Sequence, residues 1–338
     1  MAVFLLAILF FVIRPVVMDT EGPEVIPVIM NIEHQQSEFQ NAPVLRVVKK
    51  EQVLCLEVQD LAAGPGGLRL RPNPQDARQC LLDEEKSVYI KLLMTILVGL
   101  PNAGSFRGGR DMKIRPYNAE LRRFGNDWPP SGFTMTGTVR LDNFRAAVLE
   151  AVRNEIPGAI VELGVWRGGS MILADAVLKE VNESRELYLF DAYETIKGYG
   201  SGATFLEVSE ELVRSHFDQL DLGGPHVHFV KGLFMDTVPA WKEKNIQIAV
   251  LRVDGNFYDS YQDAMYYFYE KVPIGGVVIF DDVMSHPAVA RFWKDFKAEQ
   301  GLSEELVRID NHSAWFRKTK AVVIDWSKFH APQDVNKK

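Results

Sequence analysis

Three acidic residues, one single and one adjacent pair, stand where this chain could do chemistry. Asp254-Gly255-Asn256 closes the apolar run Ile248–Val253, and Asp281-Asp282 closes the run at 276–280. Short, β-branched apolar runs that end in turn signals read as buried strands of a parallel sheet. Side chains at the carboxyl ends of adjacent parallel strands converge on the crevice where open α/β folds bind ligands. Three carboxylates gathered there, Asp254, Asp281 and Asp282, repel one another unless a cation lies between them. Oxygen-only ligands select a hard ion such as Mg2+. The competing reading is that Asp281 and Asp282 only cap the helix that follows.

A second constellation lies about one hundred residues earlier. Ala159-Ile160-Val161-Glu162-Leu163-Gly164-Val165-Trp166-Arg167-Gly168-Gly169-Ser170 reads as strand, tight turn and helix start. Its glycines permit positive φ and close approach of backbone to a ligand. The spacing departs from the dinucleotide fingerprint G-x-G-x-x-G, which disfavours a nicotinamide oxidoreductase. Glu162 at the strand end would repel a phosphate and suits a cationic or amino-bearing ligand such as S-adenosylmethionine. The next strand ends at Asp191, placed to accept hydrogen bonds from ribose hydroxyls. No Gly-x-Ser-x-Gly elbow supports a hydrolase.

These residues need a scaffold, and the pattern around them supplies one. From Ala159 onward strands and helices alternate strictly. Strands are expected at 159–165, 186–192, 226–231, 248–254, 276–281, 305–310 and 314–323, with helices at 169–181, 206–220, 236–244, 258–271 and 286–299. That rhythm predicts a doubly wound, mostly parallel seven-stranded α/β sheet. Helices are also expected from Asp83 to Leu100 and over 141–153, forming a helical N-terminal cap at 83–153 before a main domain at 154–325 and a tail at 326–338. Short β-like runs occur at 44–48 and 53–58 in an extension (19–82) with no assigned role.

The twelve consecutive apolar residues Ala2–Ile13, followed by Arg14-Pro15, predict a signal peptide or short signal anchor over 1–18. Secretory or membrane-anchored localisation follows from that reading, with a cytoplasmic protein as the alternative. The net charge of -7 and the lack of a basic stripe exclude an electrostatic case for nucleic-acid binding. Two cysteines, Cys55 and Cys80, form no scaffold or zinc site. Tyr258, Tyr261, Tyr266, Tyr267, Phe268 and Tyr269 follow helical spacing and suit core packing, with a homodimer surface as one use of the excess.

The chain resembles the macrocin O-methyltransferase (TylF-type) family, which acts on sugar hydroxyls of natural products. The resemblance is carried by Asp127-Trp128-Pro129, Thr134-Met135-Thr136-Gly137, Arg140-Leu141-Asp142-Asn143 and the stretch from Glu162 to Gly169. It continues through Lys231-Gly232-Leu233-Phe234, Asp254-Gly255-Asn256-Phe257-Tyr258, and Gly275-Gly276 to Asp281-Asp282, covering roughly residues 87–320. It implies a Rossmann-like class I methyltransferase fold, S-adenosylmethionine as methyl donor, and Mg2+ held by Asp254, Asp281 and Asp282. It also implies that Thr134 and Met135 lie on a segment folding over the donor, and that Gly232 and Phe234 flank its adenine. The donor set is then Thr134, Met135, Glu162, Gly164, Trp166, Gly168, Gly169, Ser170, Asp191, Gly232 and Phe234.

Members commonly read Asp-Gly-Asp where this chain has Asp254-Gly255-Asn256, and the second Asp is a proposed general base. An amide cannot take a proton at neutral pH. Asn256 is therefore expected to orient the acceptor, with Asp259 or His286 taking the proton. For Asp259 the competing role is complementing a helix dipole, and for His286 it is starting a helix. The function expected is transfer of a methyl group to a hydroxyl of a sugar or other polyhydroxylated acceptor. A catalytically silent relative that binds cofactor or glycan is the alternative.

Overall fold

The computed structural model describes residues 44–50, 53–59, 86–99, 104, 113–194 and 204–330. The chain divides into two compact units, residues 1–71 and 72–338. In the first, β1 (Val44–Lys50) and β2 (Val53–Gln59) pair antiparallel, Val44 opposite Gln59 and Lys50 opposite Val53. The expected targeting segment 1–18 lies outside the described residues. Among the described residues no helix is long and apolar enough to cross a membrane.

The second unit is built on a seven-stranded sheet. Its strands are β3 (Ala159–Leu163), β4 (Leu187–Asp191), β5 (Val227–Lys231), β6 (Ile248–Val253), β7 (Val277–Phe280), β8 (Val307–Arg308) and β9 (Ala314–Arg317). The order is β5-β4-β3-β6-β7-β9-β8; β5, β4, β3, β6 and β7 run parallel, and β9 lies antiparallel to both β7 and β8. Chain order reverses between β3 and β6, which makes the carboxyl ends of those two strands the topological switch point.

Eight α-helices among the described residues pack on this unit's core or its rim. They are α1 (Val88–Leu97), α2 (Ala119–Arg123), α3 (Gly137–Arg153), α4 (Gly169–Glu180), α5 (Glu210–Gln219), the short α6 (Phe234–Thr237), α7 (Tyr258–Phe268) and α8 (Pro287–Glu299), with 3-10 turns between. Shorter 3-10 turns lie at 204–206, 238–241, 269–271 and 326–328. The helix expected at 236–244 is broken because Pro239 cannot continue it. The helix expected from Asp83 starts instead behind Ser87, whose hydroxyl accepts the Ile90 N–H at 3.0 Å.

Strand side chains alternate between two apolar layers. Ile160, Leu189, Val250 and Ile279 join α1, α3 and α4 on one face, while Val161, Leu163, Leu251 and Phe280 join α7 and α8 on the other. Glu162 and Arg252 continue the first of these rows in register with each other, so two charges stand where the apolar layer would otherwise extend. On the second face Tyr261, Tyr266, Phe268 and Tyr269 are buried. Tyr266 and Tyr267 pack edge-on against Trp326 and Phe329. Residues 326–329 thus cover this aromatic row rather than trail from the domain.

Candidate active site

The Gly-rich turn is held shut by its neighbours. Gly164 has φ +90°, and a Cβ there would lie 1.9 Å from the Asp254 carbonyl oxygen, so only glycine lets β3 and β6 approach this closely. Asp191 ties the turn from the other side. Its Oδ2 accepts the N–H groups of Val165 (2.7 Å) and Trp166 (3.1 Å), and its Oδ1 accepts that of Tyr193 (3.0 Å). Asp191 therefore stitches the turn at which a ribose contact was expected of it.

Gly168 caps α4 in the left-handed conformation, and the Gly169 N–H donates to the Phe133 carbonyl at 2.8 Å. A Cβ on Gly169 would sit 2.6 Å from that oxygen, so the segment carrying Thr134 and Met135 lies directly on the helix start. Thr134 and Ser170 are buried there, and the Thr134 hydroxyl accepts the Thr136 N–H at 3.2 Å. Trp166 holds a positive φ of 47° and donates its indole N–H to the Phe205 carbonyl at 2.9 Å. Across the crevice, Gly232 has φ +138°, and the Phe234 ring approaches Gly255, where a Cβ would lie 3.2 Å from it.

Two arginines organise the acidic residues. Arg252, 4 % exposed, donates from Nη1 to Glu162 Oε1 at 2.5 Å and from Nη2 to Asp254 Oδ2 at 3.0 Å and to Asp281 Oδ2. Arg140 comes down from α3 and donates from Nη1 to Asp281 Oδ1 at 2.6 Å, with its Nε 3.1 Å from Asp310 Oδ2. The Ser313 hydroxyl also donates to Asp281 Oδ1. Both Asp281 oxygens are thereby engaged. Burial alone would raise its pKa, but Arg140 and Arg252 hold the carboxyl far below the usual range. From beneath, the Tyr261 hydroxyl reaches the carbonyls of Val253 (2.9 Å) and Asp281, pinning the ends of β6 and β7.

This corrects the expected three-ligand metal centre. Among the described residues no three His, Cys, Asp or Glu side chains are grouped so as to hold a metal ion. The charge of Asp281 is balanced by guanidinium groups instead. Asp254 is different: burial first, then Asp281, raise its carboxyl well above the usual range, although 27 % of the side chain meets solvent. Asp282 adopts φ 60°, and its Oδ1 lies 3.4 Å from His286 Nδ1. That hydrogen bond raises the His286 pKa.

Glu162 is 1 % exposed, and its Oε2 is buried without a hydrogen-bond partner. Burial pushes its pKa up to about 7 against the pull of Arg252 and, more weakly, of the neighbouring Ser170 hydroxyl. An orphaned carboxylate oxygen beside a positive-φ glycine turn fits a ligand that carries an ammonium group. Among the candidates for proton removal, Asn256 stands in the left-handed region (φ 59°) directly after Asp254. Asp259 is exposed in the first turn of α7 and close enough to Asp263 to raise that residue's pKa.

Sequence reasoning gave no role to Arg140 and Arg252. The signal for Arg252 was present, since a single cation inside the apolar run Ile248–Val253 must find buried partners. Arg140 carried none, because its partners Asp281 and Asp310 lie more than 140 residues away.

Comparison with known proteins places the chain in a family. A family model described as Macrocin-O-methyltransferase (TylF) matches residues 103–318. Demethyldecarbamoylnovobiocin O-methyltransferase from Streptomyces niveus is 32% identical over 253 residues, covering 70% of this chain and 96% of that enzyme. Mycinamicin III 3''-O-methyltransferase from Micromonospora griseorubida is 30% identical over 217 residues, covering 59% of this chain and 84% of that enzyme. The solved structure of the O-methyltransferase NovP superposes with a TM-score of 0.63 at 32% identity, covering 69% of this chain and 99% of that one. The chain belongs to the macrocin O-methyltransferase (TylF) family and is an S-adenosylmethionine-dependent O-methyltransferase.

Proposed function

We propose that this enzyme methylates a hydroxyl of a sugar ring or similar polyhydroxylated small molecule, with a divalent cation assisting at Asp254. The observation that carries the reading is the switch point itself. There the glycine turn and the orphaned Glu162 oxygen back directly onto Asp254. The relatives support the acceptor class, since one from Streptomyces olivaceus, 30% identical over 261 residues, is named for 4'-O-methylation of a rhamnosyl-tetracenomycin.

The donor set also suits a hard cation. Asp254, Asp281 and Asp282 outnumber the two arginines, and burial and Asp281 keep the Asp254 pKa raised even with Arg252 beside it, so a further positive charge there would be favourable. Mg2+ needs only one or two carboxylates and keeps water in its remaining positions. Asp254 and Asp282 would hold it, while Asp281 stays with its arginines. When bound, S-adenosylmethionine supplies the electrophilic methyl group, and Mg2+ lowers the pKa of a hydroxyl it touches.

The chain's own groups do the rest. Glu162 receives the donor ammonium, and the Gly164–Gly169 turn lets backbone approach the donor closely. Asn256 offers an amide that accepts from, or donates to, an acceptor hydroxyl. His286, its basicity raised by Asp282, takes the proton at Nε2. Asp259, with its carboxylate near Asp263, serves the start of α7.

Calorimetric titration with S-adenosylmethionine, with and without Mg2+, followed by product mass analysis on a sugar panel, tests this. Donor binding, a mass gain of one methyl group, and loss of transfer in Asp254→Asn are expected. Transfer that persists undiminished in Asp254→Asn, or after chelation of divalent ions, refutes the assisted reading.

A further inference from the structure

We propose that Arg252 is a positioning residue that fixes the spacing between the donor and acceptor ends of the crevice, with Arg140 bracing it from the cap. This rests on the functional reading above. One planar guanidinium touches Glu162 on the donor side and Asp254 and Asp281 on the acceptor side. Its nitrogens are fixed relative to each other, so Glu162 cannot turn toward or away from the donor without disturbing the carboxylates opposite. Engaging Glu162 through Oε1 alone leaves Oε2 for the ligand.

The second arginine links the cap to the same point. Arg140 lies one turn into α3, just after the Thr134–Thr136 segment that sits on the start of α4. Its contacts to Asp281, Asp310 and the Phe124 carbonyl (3.3 Å) connect that cover to the acceptor side. Arg140 therefore ties the cap to the acceptor carboxylates, while the Gly169 N–H to Phe133 carbonyl bond holds the same segment on the donor turn without it.

A purely structural origin is a poor explanation for this cluster. Buried ion pairs seldom stabilise more than well-packed apolar side chains of similar size. The row in which Arg252 stands is otherwise apolar, with Val250 and Ile160 before it.

The test compares the full-length wild type with Arg252→Lys and Arg140→Ala. Lysine keeps the charge but loses the fork, so Arg252→Lys weakens S-adenosylmethionine binding about 10-fold and lowers kcat about 100-fold. Arg140→Ala leaves donor affinity within about twofold and KM for the methylated panel sugar nearly unchanged, but lowers kcat about 100-fold, with partial recovery on adding guanidinium chloride at sub-denaturing concentration. Should Arg252→Lys fail to fold, Arg140→Ala decides alone. Retention of kcat in Arg140→Ala, or a loss confined to melting temperature, overturns the proposal. A wild type that does not bind S-adenosylmethionine overturns the functional reading and this inference with it.

Discussion

Replacing Gly164 by alanine tests whether the contact between β3 and β6 builds the site. The added methyl would lie 1.9 Å from the Asp254 carbonyl oxygen, so one of the two strand ends must retreat by at least about 1 Å. Neither can do so freely. The Gly164 N–H donates to the Phe190 carbonyl and the Asp254 N–H to the Leu163 carbonyl, each at 2.8 Å. The φ of +90° adds about 1–2 kcal/mol for any residue with a Cβ, and forcing volume into a packed site adds about 1–3 kcal/mol. Together these amount to roughly 2–5 kcal/mol, or a melting temperature lower by about 5–15 °C for a domain of this size.

Function suffers separately, because the retreat moves Asp254 away from the donor turn, and a misplacement of about 1 Å costs on the order of 100-fold in rate. Gly301→Ala is the matched control. Gly301 also has positive φ (+60°), yet nothing lies within 4 Å of its Cβ position, so only the backbone cost of about 1 kcal/mol applies. Thermal unfolding and S-adenosylmethionine titration on both variants give the answer. If Gly164→Ala melts no lower than Gly301→Ala and binds donor as the wild type does, the close-approach argument is wrong.

Two further outcomes follow from the structure. His286→Gln lowers kcat about 100-fold and removes the acidic limb of the pH–rate profile, whereas Asp259→Asn stays within about threefold of wild type; steady-state kinetics with the roles reversed would reassign the base. Lys318 is 2 % exposed, donates to the Tyr269 carbonyl at 2.8 Å, and has its pKa lowered to about 8 by burial. A lowered folded pKa means the unfolded chain binds the extra proton between about pH 8 and 10.5, so wild-type stability rises across that window. Lys318→Met lacks this rise, and its stability relative to wild type falls by roughly 3 kcal/mol from pH 8 to 10.5. Denaturant melts that show a constant difference across that range would contradict the assignment.

The sheet was legible because its strands are buried on both faces. Runs such as 248–253 are apolar nearly throughout, and the turns between them carry Gly, Pro and Asp at the places the chain reverses. Strand existence and order of succession follow from that. Boundaries were less visible: β9 ends at Arg317 rather than at the expected 323, and after the Lys318 backbone bonds to Gly275 and Gly276 the chain leaves the sheet. The aromatic row of α7 is core, as its helical spacing implies, with Tyr266 and Tyr267 packed on Trp326 and Phe329. The covering residues Trp326 and Phe329 come from a segment with no periodicity of its own.

The acidic crevice was visible for the same reason as the sheet, but its charge balance was not. Counting carboxylates at strand ends finds Asp254, Asp281 and Asp282 and leads straight to a metal with three protein ligands. What settles the balance is a cation within β6 and another on a helix of the cap, and only the first stands near one of the acids in sequence. Arg252 is two residues from Asp254, a spacing that places both on one face of a strand, so a Coulomb argument applied along β6 alone could have paired them. The same argument could not have found Arg140, whose approach depends on how the cap docks. A site assembled from one element is readable from its sequence; a site completed by a second element needs the fold. Asp281, claimed by an arginine from each, is where the two contributions meet, and its loss should therefore disturb donor affinity and turnover together, where loss of Arg140 touches turnover alone.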